Sequence, residues 1–277
     1  MSEYQYFEFQ CADRRLTEND MAELRRYSTR ARITPTSFIN EYNFGDFKGN
    51  ADAWMEKYFD GHLYLANWGT HVLQLALSAK LLSKKTVEDY CVTDFLSVRE
   101  KSGRVILCFA SEDENFEDFE EGDGQLLSLM PIRSELARGD LRALYLGWLL
   151  GVQNGDVEED ESEPPVPPNL AKLSGGQSHL VEFLRIEPKL IAVAAQASAQ
   201  LSSAPDGKEL MAWIASMPTA EKDKRLIGVM KDDNSPVGAQ SLSRFNAQRV
   251  KGDTQSKSPR RKAAELLEAA GMQDRNS

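Results

Sequence analysis

Apolar positions recur with a period near two in several short stretches of the first half of the chain. Later they recur at helical spacing. Tyr4–Phe9 (YQYFEF) alternates aromatic and polar residues, imperfectly, and predicts a strand. A helix is expected over Thr17–Ala31, with Thr17 as its N-cap and Glu18 and Asp20 in the first turn, where the helix dipole favours anions. Pro35 stops it, and Thr36–Tyr42 is a second strand. Gly45 and Gly49 punctuate a loop before a short helix at Ala51–Phe59. His62–Trp68 and Thr70–Leu77 read as two strands meeting near Gly69, the second pattern being compatible with a helix too. A helix near Ser83–Tyr90 comes after them, then a hairpin joining Val92–Val98 to Arg104–Ala110 through Lys101–Gly103.

The strongest helical signal comes next. Leu141, Leu144, Tyr145, Trp148, Leu149 and Val152 trace one face, with Asp140 placed as N-cap and Asn154-Gly155 as the stop. Leu146 and Leu150 widen that face, so this helix is expected at the centre of the core. Beyond it, Asp156–Pro168 (DVEEDESEPPVPP) has the composition of an extended, hydrated spacer. Past the prolines the chain carries only helical signals: Ser178–Ile186, a helix opened by Pro188, one capped by Asp206 and one capped by Thr219. The expected fold is therefore α+β: a mostly antiparallel sheet with packed helices over residues 1–155, an acidic linker at 156–168, and a small all-α module at 169–231. Residues 232–277 read as a disordered basic tail that admits a short helix at Pro259–Ala270.

Charge sharpens this picture. The net charge is −10, but Ser111–Asp123 holds eight acids and Asp156–Glu163 six, with no base in either. Without those fourteen charges the remainder carries +4. Arg244–Lys262 has seven bases against one acid, Asp253, which permits a weak nucleic-acid contact through the tail. Its one aromatic residue, Phe245, offers little for base stacking. Cys11, Cys91 and Cys108 are odd in number and far apart, as in a reduced compartment. The longest apolar stretch, Ala143–Val152, covers about half of the roughly twenty residues a bilayer needs. The expectation is a cytoplasmic protein with no membrane association.

Several motifs invite chemistry and fail its requirements. Leu173–Gln177 (LSGGQ) matches the signature string of ABC-type ATPases, but no Walker A loop accompanies it, so an N-cap is the better reading. Gly147 and Gly151 lie in too short an apolar run for a membrane dimer motif and suit close packing of a buried helix. The acidic loop places Asp118 and Gly124 where an EF-hand needs glycine and glutamate. His62, His71 and His179 form no i, i+3 or i, i+4 pair and have no CxxC beside them. The expected metal and cofactor content is none, and the sequence leans against an enzyme.

Two polar clusters remain. Asn40, Glu41, Asn43, Asp46 and Lys48 lie in a glycine-bounded loop after a strand, and Asn67, Trp68 and His71 cluster at a turn. If they converge, they form a pocket for a small ligand or an enzyme's substrate. Phe116 and Phe119, interleaved with acids, are candidate anchors for a partner.

Five segments taken together carry a resemblance: Ile33–Gly49 (ITPTSFINEYNFGDFKG), Tyr64–Gly69, Asp140–Leu150, Glu163–Pro168 and Leu180–Ile186. Over roughly residues 1–230 the chain resembles an uncharacterised family of bacterial proteins often encoded beside SWIM-type zinc-finger proteins. The family has no assigned catalytic residues, so the resemblance implies no activity. It implies a shared pathway or complex, with a zinc-finger protein as partner. The leading expectation is a non-enzymatic interaction or accessory protein of a bacterial complex. The alternative is a ligand-binding protein or enzyme using loops 40–48 and 67–71.

Overall fold

Seven strands pair into one antiparallel sheet. They are β1 (Gln5–Gln10), β2 (Arg32–Thr34), β3 (Ser37–Tyr42), β4 (Gly61–Ala66), β5 (His71–Ser78), β6 (Leu96–Lys101) and β7 (Arg104–Ser111), in the order β2-β3-β1-β4-β5-β7-β6. The computed structural model describes residues 3–92, 94–113, 122–200, 206–231, 237–253 and 260–272. The α+β expectation holds, with the sheet in the N-terminal half and helices dominating the C-terminal half.

Side chains of each strand leave alternately by the two faces. Tyr6, Leu63, Leu73, Leu75, Leu107 and Phe109 enter the larger core, while Phe7, Phe9, Phe38, Ala76 and Ile106 enter the smaller one. The smaller face is covered by α1 (Glu18–Arg25) and α2 (Ala51–Lys57), which supply Leu24, Trp54 and Met55. Thr17 caps α1 through a reciprocal box with Asp20, as the sequence suggests. The helix stops at Arg25 rather than Ala31. The chain folds back there so that the Arg25 guanidinium donates to the carbonyls of Ser28, Thr29 and Ala31, and it then enters β2.

The hairpin between β6 and β7 turns through Ser102 and Gly103, both at positive φ (54° and 74°). The short helix α3 (Lys84–Glu88) precedes it, capped by Ser83. Two helices not expected from the sequence lie beyond the acidic segment: α4 (Gln125–Leu129) and α5 (Pro131–Ala137). They bury Leu126, Leu129, Ile132 and Leu136. Next comes α6 (Arg142–Asn154), buried continuously from Ala143 to Gln153 and closed by Gly155 at φ 80°. Asp140 acts one residue outside the expected cap, its Oδ1 accepting from the Arg142 backbone N–H. The two glycines of α6 are packing positions: a Cβ at Gly151 would lie 2.5 Å from the Val92 side chain, and one at Gly147 3.0 Å from Leu96.

The core runs on past the expected domain boundary. In α7 (Gly175–Leu184) and α8 (Pro188–Ala195), Leu180, Phe183, Leu190 and Ala194 share one cluster with Leu63 and Leu107 of the sheet. Ser174 caps α7 through a box with Gln177, which accounts for the LSGGQ string as helix-start chemistry. Residues 156–168 are not a free spacer. Asp156, Glu158, Glu159, Asp160 and Glu161 face water, but Val157 and Glu163 are buried and the Tyr90 hydroxyl donates to the Pro165 carbonyl at 2.8 Å.

Among the described residues of the tail, 237–253 are helical where disorder is expected, and 263–270 form the short helix that the sequence admits. Helices α9 (Gly207–Ser216), α10 (Thr219–Lys231), α11 (Val237–Asp253) and α12 (Ala263–Ala270) complete the chain. Ala263, Leu266, Leu267 and Ala270 of α12 insert into the larger core beside α8 and α6. Ser162 and Lys262 form an antiparallel bridge that fastens this end to the 156–168 segment.

Candidate functional site

The two loops singled out in the sequence reach the same end of the sheet and act on opposite faces of it. β1 separates them, since Gln5 pairs with Tyr42 on one side and Ala66 on the other. Asn40 is buried opposite Phe7, on the face where Phe47 stacks on Phe7 with ring centroids 4.7 Å apart. Asp46 Oδ1 accepts from Gln5 Nε2 at 3.0 Å, and the Tyr64 hydroxyl donates to Gln5 Oε1 at 3.1 Å. Glu41, Asn43 and Lys48 are exposed. Asn67 Oδ1 accepts the Tyr4 backbone N–H at 3.0 Å, which is turn chemistry, and Trp68 is exposed beside it. Phe116 and Phe119 lie outside the described residues.

His71 points to the other face and is buried against the Phe183 ring. Its Nδ1 lies 2.8 Å from the Phe183 carbonyl and its Nε2 2.8 Å from Arg185 Nη2. A guanidinium only donates, so Nε2 accepts and the proton sits on Nδ1, facing the carbonyl. Arg185 Nη1 also donates to the Gly69 carbonyl at 3.0 Å. The imidazole and guanidinium thus clasp the end of α7 onto the β4–β5 turn. Sequence reasoning missed Arg185, which is 114 positions from His71 and carries no local signal beyond its αL backbone at φ 58°.

A polar rung crosses the opposite face. His62, Gln74, Cys108 and Ser97 stand in register on β4, β5, β7 and β6. His62 stacks on Phe9 at 4.1 Å and meets Gln74 Oε1 at 3.2 Å, while Gln74 Nε2 donates to Asp52 at 2.8 Å. Burial pushes the His62 pKa down to about 4. Since the unfolded imidazole titrates near 6.5, the native state loses stability as pH falls from there towards 4, by roughly 3 kcal/mol at the limit. Urea unfolding of His62→Phe beside the parent at pH 7, 5 and 3.5 is expected to show a shallower acid loss in the variant. Parallel pH dependences would contradict the burial argument.

Burial raises the pKa of all three thiols, Cys11 and Cys91 to about 11, so none is poised as a thiolate nucleophile at neutral pH. No group of three or more His, Cys, Asp or Glu side chains suited to a metal ion is assembled among the described residues. Among the tail cations, Arg244 pairs with Glu221, Arg249 with Glu209 and Arg261 with Glu163. Among the described residues, no helix is long and apolar enough to cross a membrane.

Six of the ten exposed large apolar side chains among the described residues are on α9 and α10. Met211, Leu226 and Met230 are 72%, 63% and 85% exposed, with Ile214, Ile227 and Val229 around them. Leu226, Val229 and Met230 fall at i, i+3 and i+4 on one stripe. α9 buries none of its residues and is held from behind by Trp213. That indole meets Phe245 of α11 edge-on at 5.5 Å and donates to Gln248 Oε1 at 2.7 Å. α10 is held by Arg225, which donates to Ser241 Oγ at 2.6 Å, and by the Glu221–Arg244 pair. α11 is anchored in turn by Gln240 on the Lys80 carbonyl and Asn246 on the Arg138 carbonyl. These contacts fasten the two helices to α11 and leave the six apolar side chains exposed. Lys208, Lys222 and Lys224 stand on the same helices together with Asp223, which is exposed one turn before Leu226 and Ile227, while Glu209 and Glu221 are held in ion pairs.

Scans against protein-family models, the curated proteins and the solved structures give no match to this chain.

Proposed function

We propose that this chain is a non-enzymatic accessory protein that binds a protein partner through the outward stripe of α9 and α10. The reading rests on the exposure of Met211, Leu226 and Met230 on helices held only from behind. A soluble surface rarely leaves a contiguous apolar stripe of this kind without an occupant. The stripe suits a partner segment that lays an apolar helical face against it, and the excess of Lys208, Lys222 and Lys224 over Asp223 favours carboxylates along that segment's margins. The SWIM-type zinc-finger protein implied by the family resemblance is the first partner to assay.

Leu226→Asp combined with Met230→Asp tests this. Both positions are exposed, so the stability of the full chain is expected to stay within about 0.5 kcal/mol. Affinity for the purified zinc-finger protein, read by calorimetry, is expected to fall at least tenfold. Equal binding by parent and variant would overturn the reading. So would binding to anionic lipid vesicles in place of the protein, because a basic-bordered apolar stripe also suits a membrane surface.

A further inference from the structure

A second site stands away from the α9–α10 stripe and does not depend on it. We propose that the cleft between the end of β7 and the C-termini of α6 and α7 binds a small organic ammonium compound, a primary amine or diamine. The cleft encloses about 420 Å³, within the range of small-molecule sites and larger than a bare ion requires.

Its electrostatics select a cation. Glu112, Asp113 and Glu187 line it, against a single guanidinium, Arg185, whose Nη1 and Nη2 donate to the Gly69 carbonyl and to His71. α6 ends there at Asn154 and α7 at Leu184, so two helix C-termini turn their negative poles into the same space. An ammonium group brings N–H donors for these carboxylates and helix-end carbonyls.

The independent sign of a ligand is Ser111. Its hydroxyl lines the cleft, is buried, and makes no hydrogen bond. Buried polar atoms are nearly always paired, and an ammonium N–H can donate to this oxygen. One wall is already fixed. Gln153 donates from Nε2 to the Arg185 carbonyl at 3.0 Å and accepts the Glu187 backbone N–H on Oε1 at 2.7 Å, which locks the α7–α8 turn. Binding therefore has little of that wall to order.

The test is calorimetric titration of the full chain with 1,4-diaminobutane at low ionic strength, with succinate and Mg²⁺ as controls. Saturable 1:1 binding of the diamine is expected, with none of succinate. Glu112→Gln and Glu187→Gln are each expected to weaken it about tenfold, and Ser111→Ala to weaken it as well. Urea midpoints close to the parent's would show that these variants fold. Amide shifts in the ¹H–¹⁵N spectrum on adding diamine are expected at Ser111, Asn154 and Arg185. No saturable heat, an affinity unchanged in both glutamine variants, or equal binding of Mg²⁺ would overturn the assignment.

Discussion

Replacing Arg261 by alanine is expected to remove about 3–5 kcal/mol of stability, among the largest effects of any single polar substitution in this chain. The reason is Glu163, whose side chain is 3% exposed in the midst of an apolar core. Its carboxylate accepts from Arg261 Nε at 2.9 Å and Nη2 at 2.7 Å, and from the Tyr145 hydroxyl. Removing the guanidinium leaves that charge buried without its counter-ion. It also strips donors from the Val193 and Ala194 carbonyls at the end of α8. Burial first, and the neighbouring Glu163 charge second, raise the Tyr145 pKa, so the phenol keeps its proton and remains a donor to the carboxylate. The double variant Glu163→Gln, Arg261→Met is expected to recover much of the loss, because a neutral pair needs no counter-ion. Urea unfolding at pH 7 reads both. A loss below about 1 kcal/mol for Arg261→Ala would mean that the pair is solvated.

Trp148→Ala is expected to cost about 3–5 kcal/mol by the same measurement, through a cavity rather than a charge. Trp148 is 1% exposed at the middle of α6 and lies against the Tyr145 ring at 5.7 Å between centroids. α6 is enclosed on all sides, and Gly147 and Gly151 bring it so close to Leu96 and Val92 that neighbours have little room to collapse into the space. Trp213→Ala is the contrast, since Trp213 is only half-buried and joins α9 to α11 at the surface. A similar cost at both tryptophans would contradict the assignment of α6 to the centre.

Both variants concern features that the sequence shows unevenly. The helical stripe from Leu141 to Val152 announces α6, and Thr17, Ser83 and Asp206 announce helix starts, because caps and periodicity are local. β5 is ambiguous with a helix because it is buried on both faces, Leu73, Leu75 and Leu77 on one and Ala76 on the other, which erases the alternation. α4 and α5 escape notice beside the acidic run, with Pro131 breaking the apparent period although it sits comfortably at the first position of α5. Residues 156–168 mislead for a non-local reason. Five of the six acids do face water, as composition suggests, but Glu163 turns inward to an arginine 98 positions away. Composition reports averages over a segment, and one inward carboxylate is invisible to it.

The candidate sites divide in the same way. The polar residues at 40–48 and 67–71 are visible as a cluster, and the structure uses Asp46 and Asn67 to hold Gln5 and the Tyr4 backbone. The amphipathic stripes of α9 and α10 are legible as periodicity, but a stripe alone does not say whether it faces a core. That emerges only from the contacts that Trp213 and Arg225 make with α11. The cleft at Ser111 joins the ends of β7, α6 and α7, which are far apart in the chain, and no motif marks it.

Residues 260–272 close the core, while α9 and α10 ride on its surface. Native-state hydrogen exchange across the full chain tests this division directly. Amides of α12 are expected to exchange at the rate of global unfolding, together with α6 and β5, and those of α9 and α10 much faster. Fast exchange in α12 at the rate of α9 would contradict it, since the tail would then be loose and Glu163 without a lasting partner.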